Sequence, residues 1–594
     1  MSGSPLQTDV CIYGAGLGGI AAALVLLEQG KNVVLVEPTA WIGGQMTSQG
    51  VSALDEHQYI EHHPGTAKYG ELRRLIRQTS ARMHGITGVD RGAWNPGNGW
   101  VSRLCFEPRH ALRVLEDWFA PWITAGTCTI YRSTHLIAAQ RNQSVLHSLT
   151  FVHADGTQFC CRAAFFVDAS ELGDVLASAG LTDVVGAEAH ADTQEALAPM
   201  QACPAEVQGF TFSFAVSFEP GSHNVIAKPE GYNQLRDDQP FTLVLHDSNG
   251  QPRPFRVFAQ GKTGLPPFWT YRRIWDGSNA VPADADIAII NWNSNDYHRQ
   301  SLIGATLQER ATIIDEAKRL SLAFLYYLQT EVPRDDGSGF GYPELRLLPE
   351  VMGTYDGLSM APYVRESRRT HGFVRITADD ILVSANPAAR ARAWPDSIGI
   401  GWYPMDLHPA VGNDMSLYEP TRPFQIPLGA LIPPDCDNLI CANKNIATTH
   451  LSNGAYRLHP VEWSIGTGAG MAVAVALTRA MTLHALWSTP STLAEVQLRL
   501  VQNGVALCWA IDVLSTDDIF AATQWMVLHD VIAPDKHRSQ SLMVFPDQTL
   551  TSTEYNRLCH ALAVIPCPAG AHISYPLTWK EACVALAATG ILTC

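Results

Sequence analysis

The fold is decided by residues 9–37, DVCIYGAGLGGIAAALVLLEQGKNVVLVE. An apolar run at 9–13 predicts a buried strand, and a second run at 32–37 predicts another. Between them, a glycine-rich turn precedes an apolar segment at 20–28 that predicts a buried helix. This order of strand, turn, helix and strand predicts a βαβ unit, the core of an α/β fold.

Three glycines in the turn have separate steric roles. Gly14 permits the tight turn, Gly16 lets a pyrophosphate approach the backbone, and Gly19 lets the helix pack closely on the strand. The pyrophosphate then binds the free N–H groups at the helix N-terminus. Glu37 can accept hydrogen bonds from ribose hydroxyls, and Pro38 follows it instead of an arginine, so a 2′-phosphate would meet negative charge. The stretch therefore predicts binding of FAD or NAD rather than NADP.

The segment after Glu37 distinguishes FAD from NAD. Residues 41–46, WIGGQM, place a Gly-Gly turn soon after the acid. Here the chain resembles the FAD-dependent oxidoreductases of the glutathione-reductase-like superfamily, in which such a turn carries the chain past the flavin. A glycine loop that serves only as a turn is the alternative for this motif taken alone. The resemblance implies FAD as the cofactor, with contacts from Gly14, Gly16, Leu17, Gly18, Gly19, Glu37, Pro38, Gly43, Gly44 and Gln45.

A second motif of the superfamily is matched in part at residues 163–174, AAFFVDASELGD. Ser170-Glu171-Leu172 replaces the T-G-x of the superfamily pattern A-T-G-x-G-D, while the final Gly-Asp is retained. An ordinary strand followed by a capped helix is the alternative. Strands predicted at 128–131, 133–138 and 145–152 match an insertion whose edge often meets the adenine in such proteins. The resemblance implies further FAD contacts from Leu136, Ala169, Asp174, Asn443 and Val461.

The second half of the chain resembles, more narrowly, a broad bacterial family of FAD-dependent oxidoreductases. A helix predicted at 460–479 begins with a proline in its first turn, and its glycines at 466, 468 and 470 suit close packing on the sheet. The resemblance implies that its N-terminus faces the N1–C2=O edge of the flavin, where its partial positive charge would stabilise the reduced anion. The resemblance covers about residues 8–485 and rests on PYVRESRRTHG at 362–372, IGIGWYPMD at 398–406, FQIPL at 424–428, NLICANKNI at 438–446 and NGAYRLHPVEW at 453–463.

Titratable residues cluster in these matched segments. His450 and His459 have ordinary pKa values near neutrality, so each can serve as the base that removes a substrate proton. Arg365, Arg368 and Arg457 can hold a carboxylate through paired N–H donors. A structural role is the alternative for each residue, and a solvated ion-pair strip is the alternative for the first two arginines. From these side chains we predict a small-molecule substrate of anionic or amino-acid-like character.

These observations predict a FAD-dependent oxidoreductase that oxidises an amine, an amino-acid-like molecule or an alcohol. Hydride would move from the substrate to the flavin, and dioxygen or another acceptor would reoxidise the flavin. No second glycine fingerprint follows a strand, so a private NAD(P)H site is not expected. The alternatives are a flavin monooxygenase that uses an external reductant and a non-catalytic flavin-binding redox sensor.

The predicted fold class is α/β, with a Rossmann-type FAD-binding domain, an inserted mixed α+β substrate lobe and a helical C-terminal domain. We place the two parts of the FAD-binding domain at 1–209 and 356–488, the lobe at 210–355 and the C-terminal appendage at 489–594. The appendage weakly resembles a surface-layer-homology repeat, and we interpret it as a separable structural domain or one that forms a homo-oligomer. The lobe contributes aromatic residues either to a substrate wall or to its own core: Trp269, Tyr271, Trp292 and Tyr297.

Composition disfavours several classes of partner. A net charge of −16 disfavours nucleic acid and anionic membranes as partners. The sequence contains no run of about 18 apolar residues, so we expect no transmembrane helix. The N-terminus lacks the basic segment of a signal peptide, and the thirteen cysteines include no CxxC pair. We therefore predict a cytoplasmic protein with reduced thiols. The sequence predicts no metal site.

Overall fold

A computed structural model describes residues 5–87, 92–246, 251–261, 264–532, 537–564, 576–588 and 592. Numbered in chain order, its strands are β1 (Leu6–Tyr13), β2 (Val33–Val36), β3 (Cys128–Tyr131), β4 (Thr134–Asn142), β5 (Val145–His153), β6 (Gln158–Asp168), β7 (Asp183–Val184), β8 (Phe210–Thr211), β9 (Phe214–Phe218), β10 (Val244–His246), β11 (Pro252–Pro254), β12 (Arg273–Trp275), β13 (Ile287–Ile290), β14 (Asp296–Tyr297), β15 (Leu345–Leu347), β16 (Arg369–Thr370), β17 (Ser397–Gly401), β18 (Met405–Leu407), β19 (Leu417–Glu419), β20 (Phe424–Pro427) and β21 (Leu439–Cys441). Its helices are α1 (Leu17–Glu28), α2 (Ala67–Met83), α3 (Pro108–Thr124), α4 (Asp174–Ser178), α5 (His190–Thr193), α6 (Tyr232–Asp238), α7 (Leu307–Thr330), α8 (Pro349–Met352), α9 (His450–Tyr456), α10 (His459–Arg479), α11 (Leu483–Ser488), α12 (Pro490–Gln502), α13 (Phe520–Leu528), α14 (Ser552–Val564) and α15 (Trp579–Ala588).

The central sheet is parallel at its core. β1 lies between β2 and β6, β2 pairs with β3, and β21 pairs with the end of β6, which gives the parallel order β3-β2-β1-β6-β21. β5 pairs antiparallel with the first half of β6, and β4 pairs with β5. The carboxyl ends of β1, β6 and β21 coincide, since Tyr13 and Cys441 both pair with Asp168. This parallel order confirms the predicted Rossmann-type fold. Ligands of such sheets bind outside the carboxyl ends of the strands, so the coinciding ends locate the binding edge.

Two apolar helices cover this sheet and pack against each other. A Cβ atom on Gly18 of α1 would lie 1.6 Å from the carbonyl oxygen of Ala442, and one on Gly466 of α10 would lie 2.0 Å from the Gly18 oxygen. Gly470 meets Ala22 of α1 in the same way, at 2.7 Å. Two of the three α10 glycines therefore serve packing between helices, whereas the sequence predicted packing on the sheet.

The helix α10 is 21 residues long and apolar. Among the described residues it alone could cross a membrane by length and composition, and 89% of its apolar window is buried inside the protein. It packs against α1 on one side and β17 on another. These contacts account for its composition as that of a core helix.

The inserted lobe has a sheet and a core of its own. The strands β12, β13, β9 and β15 pair antiparallel in that order, and one hydrophobic cluster joins side chains of α7 to those of β8, β9 and β13. Trp269, Trp292 and Tyr297 belong to this cluster, while Tyr271 packs against its edge and remains half-buried. The structure thus gives the first three residues a core role and leaves Tyr271 as the candidate for a substrate wall.

The C-terminal region shares its core with the central sheet. Apolar side chains from α12, α13, α14 and α15 belong to the same hydrophobic cluster as those of α1, α10 and β1. Trp509 is a member, and its indole N–H donates to the Phe424 carbonyl at 3.1 Å while its ring contacts His57 and Trp402. The boundary predicted at residue 489 therefore lies within a continuous core.

Candidate functional site

The glycine-rich turn opens the N-terminus of α1 toward the carboxyl ends of the central strands. Gly14 has a φ of +98°, and a Cβ atom there would lie 2.2 Å from the Ala169 oxygen. A Cβ atom on Gly19 would lie 1.9 Å from the Gly14 oxygen, which confirms its predicted role in helix–strand packing. Gly16 is the N-cap, and no side chain accepts a hydrogen bond there. The first N–H groups of α1 lack partners inside the helix, so they are available to an anion such as a pyrophosphate.

Glu37 lies just beyond β2, and its carboxylate turns back toward the same glycine turn. One oxygen accepts the Ala15 N–H at 2.8 Å, and the other accepts the Thr39 N–H at 2.9 Å and its hydroxyl at 2.7 Å. Burial raises the pKa of Glu37 to about 7 in spite of these three donors. Half-buried Pro38 brings no cation to this position. The carboxylate is placed as expected for an acceptor of ribose hydroxyls.

The predicted flavin turn touches the glycine fingerprint. Gly43 and Gly44 both have positive φ, at +116° and +52°, and a Cβ atom on Gly44 would lie 2.7 Å from the Gly16 Cα atom. Gln45 follows in a short 3₁₀ helix, Gly44–Met46, and its Nε2 donates to the Arg457 carbonyl at 2.8 Å. Its Oε1 is buried and has no partner among the described residues. This turn therefore joins the fingerprint to the start of α10 and leaves one buried acceptor for a ligand donor.

The departure from the second flavin motif has a structural counterpart. The Glu171 carboxylate would lie 3.1 Å from a Cβ atom on Gly16, on the face where the second fingerprint glycine leaves room for a pyrophosphate. Lys444 forms an ion pair with Glu171 and lies 3.1 Å from Glu462 of α10. Burial would lower the pKa of Lys444, but the two glutamates outweigh burial and raise it. Sequence reasoning missed this charged triad, because its members come from three separate segments.

The other predicted cofactor contacts lie around the same edge. The Leu136 N–H donates to the Tyr13 hydroxyl at 3.2 Å, and the Asn443 amide donates to the Ala169 carbonyl at 3.0 Å. Asp174 lies 3.4 Å from Arg310 of the lobe helix α7, and Val461 is buried in the first turn of α10. Leu17 and Gly18 are buried in the first turn of α1.

The residues present fit FAD. The uncapped N-terminus of α1, the glycine turns that would not tolerate side chains and the buried carboxylate of Glu37 suit a pyrophosphate and a ribose. The buried Oε1 of Gln45 adds an acceptor close to the start of α10. The Glu171 carboxylate opposes a pyrophosphate by charge, and Lys444 partly neutralises it.

His450 begins α9 and is held by two glutamates. Its backbone N–H donates to the Glu188 carboxylate at 2.9 Å, and its ring Nδ1 lies 2.9 Å from a Glu366 carboxylate oxygen. Burial would lower the pKa of the ring, but Glu366 outweighs burial and raises it above its ordinary value. Because Glu366 occupies Nδ1 and favours the protonated ring, the structure does not favour His450 as the base.

His459 begins α10 with both ring nitrogens in use. Its Nδ1 accepts the Asp55 N–H at 3.1 Å, and its Nε2, which then carries the proton, donates to the Val51 carbonyl at 3.0 Å. Burial lowers the pKa of His459 to about 4, so the ring is neutral. The imidazole positions the 51–55 loop and leaves no nitrogen for a substrate.

Arg365 and Arg368 each anchor a different part of the fold. Arg365 pairs with Asp296 of the lobe at 2.9 Å, and both side chains are buried. Arg368 donates to the Leu172 carbonyl at 2.9 Å and lies 3.4 Å from Asp183. The first arginine thus ties the lobe to the central domain, and the second holds the segment of the second flavin motif.

Arg457 belongs to a polar cluster at the border between the lobe and the central domain. Its guanidinium donates to the Tyr363 hydroxyl at 2.7 Å and lies 3.6 Å from the Asp406 carboxylate. Arg272 of the lobe lies 3.3 Å from the Asp55 carboxylate, and its guanidinium carbon lies 5.1 Å from the centroid of the Tyr271 ring. Tyr403 lies close enough to these groups that, in addition to burial, the charges of Asp55 and Asp406 raise the pKa of its phenol. We name the whole set the junction cluster: Asp55, Tyr271, Arg272, Tyr363, Tyr403, Asp406 and Arg457.

The junction cluster combines ionised groups with neutral phenols. Burial raises the pKa of Tyr403 well above its ordinary value, so the phenol stays protonated. Burial would also raise the pKa of Asp406, but His408 and Arg457 outweigh it and lower the pKa to about 2. Tyr271, Tyr403 and Asp406 are only half-buried, so a ligand can reach them. Of this cluster, sequence reasoning proposed only Tyr271 and Arg457 as site residues.

Comparisons with known proteins agree with the fold and the cofactor. Flavin-containing amine oxidase B of Bos taurus is 29% identical over 106 residues, which make up 15% of this chain and 20% of that protein. All-trans-retinol 13,14-reductase of Macaca fascicularis is 35% identical over 72 residues, 12% of each chain. The chain therefore matches about a fifth or less of the length of these relatives. What they share with it is a short segment.

One solved structure resembles the chain over nearly its whole length but only weakly. It is a geranylgeranyl bacteriochlorophyll reductase-like protein of Thermoplasma acidophilum, 10% identical, with 94% of this chain and 97% of that chain covered and a TM-score of 0.33. A likeness this low supports no conclusion about activity. The family model described as FAD dependent oxidoreductase, by contrast, matches residues 9–500, which include the fingerprint, the lobe, the junction cluster and α10. The chain therefore belongs to the FAD dependent oxidoreductase family and binds FAD.

Proposed function

We propose that this flavoenzyme oxidises a small amino-acid-like molecule at the junction cluster. The supporting observation is the arrangement of opposite charges at the border of the lobe: Arg272 lies beside Asp55, and Arg457 lies beside Asp406. A zwitterion carries a carboxylate that can pair with an arginine and an ammonium group that can pair with an aspartate. Its binding would therefore leave no buried charge without a partner of opposite sign. An alcohol without a charged group could form hydrogen bonds here but would pair with none of these charges.

The arginines are assigned to the substrate carboxylate. The Nε atoms of Arg272 and Arg457 are buried and have no hydrogen-bond partner among the described residues. A guanidinium group can donate two parallel N–H bonds to one carboxylate. The protonated phenol of Tyr403 adds a donor of the same kind at the half-buried edge. These groups together favour an anionic end on the ligand.

The amino group is assigned to Asp406. Because its pKa is lowered to about 2, the carboxylate is ionised at neutral pH and can accept N–H bonds from an ammonium group. When bound, FAD supplies a hydride acceptor. The proton that leaves the substrate nitrogen is assigned to a carboxylate of the cluster, because Glu366 occupies the Nδ1 atom of His450 and His459 uses both of its ring nitrogens.

Anaerobic reduction of the bound flavin tests this proposal. The oxidised protein is mixed, in separate anaerobic samples, with L-amino acids, simple amines, alcohols, NADH and NADPH, and the flavin absorbance is followed. We expect at least one amino acid to bleach the flavin and dioxygen to restore it. Bleaching by NADH or NADPH alone would point instead to a monooxygenase or reductase. No bleaching by any donor would favour a non-catalytic flavoprotein.

A further inference from the structure

We propose that His84, Glu107 and His110 bind a divalent metal ion, with zinc as the metal that these ligands suit best. In the described part of the chain they are the one group of three or more His, Cys, Asp or Glu residues whose ligand atoms all lie within 4.8 Å of one another. None of the three belongs to the FAD edge or to the junction cluster. Two imidazoles and a carboxylate are a common ligand set for zinc, with a water molecule in the fourth position.

The end of one helix and the start of the next bring these residues together. His84 is the C-cap of α2, Glu107 is the N-cap of α3, and His110 lies in the first turn of α3. The His110 N–H donates to the Glu107 carbonyl at 2.9 Å, which fixes that first turn. The helix dipoles favour a cation beside the end of α2 and a carboxylate at the start of α3. The backbone thus places a cation bound by His84 and the carboxylate of Glu107 at positions that suit their charges.

The distances between the ligand atoms are those of a site that needs only small side-chain shifts. His84 Nε2 lies 2.7 Å from a Glu107 oxygen, and His110 Nε2 lies 3.9 Å from the same oxygen. The second separation is too long for a hydrogen bond. Two ligands of a tetrahedral zinc ion, each about 2.0–2.2 Å from the metal, lie roughly 3.4 Å apart. The two observed separations fall on either side of that value.

Neighbouring side chains already orient both imidazoles. His110 Nδ1 lies 2.9 Å from the Ser80 hydroxyl, so its Nε2 faces Glu107. This is the outer contact that metal-binding histidines usually make through their second nitrogen. The ring of His84 stacks on Trp275 at 3.5 Å between centroids and 8° between planes.

The location of the group gives the ion a structural role. Trp275 belongs to β12 of the lobe sheet, whereas the three ligands belong to helices that pack beside the central sheet. An ion at this position would fix the orientation of His84 and, through the stacked rings, the contact between the lobe and the α2–α3 corner. The FAD edge supplies none of the ligands, so metal binding should not require FAD.

Calorimetric titration with ZnCl₂ tests the proposal on the full chain after dialysis against a chelator and then against metal-free buffer. We expect one tight zinc ion per chain, bound at least ten-fold more weakly by His84→Ala and by Glu107→Gln. Glu107→Gln keeps the shape of the N-cap residue and removes its charge, so it guards against a loss that comes only from misfolding. His147→Ala is the matched control, because His147 is exposed on β5; its affinity should equal that of the wild type.

Cobalt substitution separates this group from the cysteines. Co²⁺ bound by imidazole and carboxylate gives visible bands without the near-ultraviolet charge-transfer band of a thiolate ligand, and we expect this spectrum from the wild type. A thiolate band, the absence of one-to-one zinc binding by the wild type, or unchanged affinity in both ligand variants would overturn the proposal.

Discussion

The inserted lobe and the C-terminal region are both additions to a Rossmann-type domain, and they join it in opposite ways. The lobe, residues 210–355, encloses its own apolar core and meets the central domain through buried or half-buried ion pairs. The C-terminal region, residues 489–594, adds its apolar side chains to the core of the central domain. A lobe with an independent core can present a polar face to its neighbour. That face is where we place the substrate.

The border between the lobe and the central domain, which we call the polar joint, includes three arginine–carboxylate ion pairs. They come from the loop before β12, from β14 and from α7, so they tie down separate edges of the lobe. The pairs are Arg272–Asp55 at 3.3 Å, Asp296–Arg365 at 2.9 Å and Arg310–Asp174 at 3.4 Å.

The apolar contacts between the C-terminal region and the central domain form what we call the apolar joint. Hydrogen bonds to the backbone of the C-terminal region stabilise it further. The Leu507 carbonyl accepts from the Ser397 hydroxyl at 2.8 Å and from the Gln425 amide at 2.9 Å. Arg390 donates to the Trp509 carbonyl at 2.8 Å. Removing the 505–509 segment would expose apolar side chains and remove the acceptors of these three bonds, and each buried donor left unpaired costs about 1–3 kcal/mol.

A chain that ends at residue 488 should show the largest effect. The sequence predicted a separable C-terminal domain, whose removal would leave FAD in place; the contacts of Leu507 and Trp509 lead us to expect the opposite. The loss should exceed the total stability of a typical domain, about 5–15 kcal/mol. Soluble yield and flavin content after expression measure it. A soluble, yellow, monodisperse product would show that the apolar joint is dispensable.

Two matched tryptophan substitutions should act on different parts of the molecule. Trp509→Ala and Trp292→Ala each remove a buried indole with one hydrogen bond and should cost about 3–5 kcal/mol. Because Trp509 packs in the core of the central domain, its loss should lower the urea concentration at which flavin is released. Trp292→Ala should lower the unfolding midpoint of the lobe, followed by tryptophan fluorescence, and leave flavin release almost unchanged. Equal shifts of flavin release would contradict separate cores.

The polar joint should respond to acid, and the apolar joint should not. Burial would raise the pKa of Asp296, but Arg365 and His408 outweigh burial and hold it well below its ordinary value of 3.8. Since the pKa is lowered in the folded state, this stabilisation is present above pH 3.8 and is lost as pH falls toward the lowered pKa. Asp296→Asn would leave Arg365 buried without its partner, at a cost of about 3 kcal/mol.

Urea unfolding of the lobe at pH 7 and at pH 3 measures this effect. The wild type should lose lobe stability between the two pH values, and Asp296→Asn should be weaker at pH 7 and lose less on acidification. Glu316→Gln is a matched control, since this carboxylate accepts a hydrogen bond from Tyr297 within the lobe. A wild-type lobe whose stability does not change with pH would contradict a polar joint.

The smallest effect is expected at the cofactor edge, which lies in the domain that both joints share. Glu171→Gln removes a carboxylate from the face of Gly16 and frees Lys444 for a phosphate, so FAD binding should tighten by about 1 kcal/mol, roughly five-fold. Fluorescence titration of the apoprotein with FAD measures the change. The urea midpoints for unfolding of the lobe and of the central domain should stay unchanged. Weaker binding would show that Glu171 contacts the cofactor favourably.

Local patterns predicted the parts of this fold that form within short stretches. The βαβ unit and the hairpin strands β4 and β5 follow from apolar periodicity and glycine positions, whereas the strand at 128–131, predicted in the insertion, pairs with β2 of the central sheet. The steric role of Gly19 could be deduced because its partner, Gly14, lies in the same motif, whereas the Ala169 oxygen that a Cβ atom on Gly14 would meet comes from a distant segment.

Contacts between distant segments could not be predicted in this way. Arg272 and Asp55 are 217 residues apart, and Lys444 and Glu171 are 273 apart, so nothing in either neighbourhood reveals the partner. For the same reason the sequence could not show that His450 is held by Glu366 or that His459 has no free nitrogen. Residue type suggested a base in both cases, and the partners decide otherwise.

Rapid anaerobic mixing tests the central claim most directly, because it follows flavin reduction as the concentration of the active amino acid rises. The wild type is compared with Arg272→Met, which alters the junction cluster, and with Arg368→Met, which alters an arginine that holds the Leu172 carbonyl. We predict that Arg272→Met raises the half-saturating concentration ten-fold or more, while Arg368→Met leaves it near that of the wild type. Equal half-saturating concentrations in the wild type and Arg272→Met would contradict a substrate site at the junction of the lobe and the FAD-binding domain.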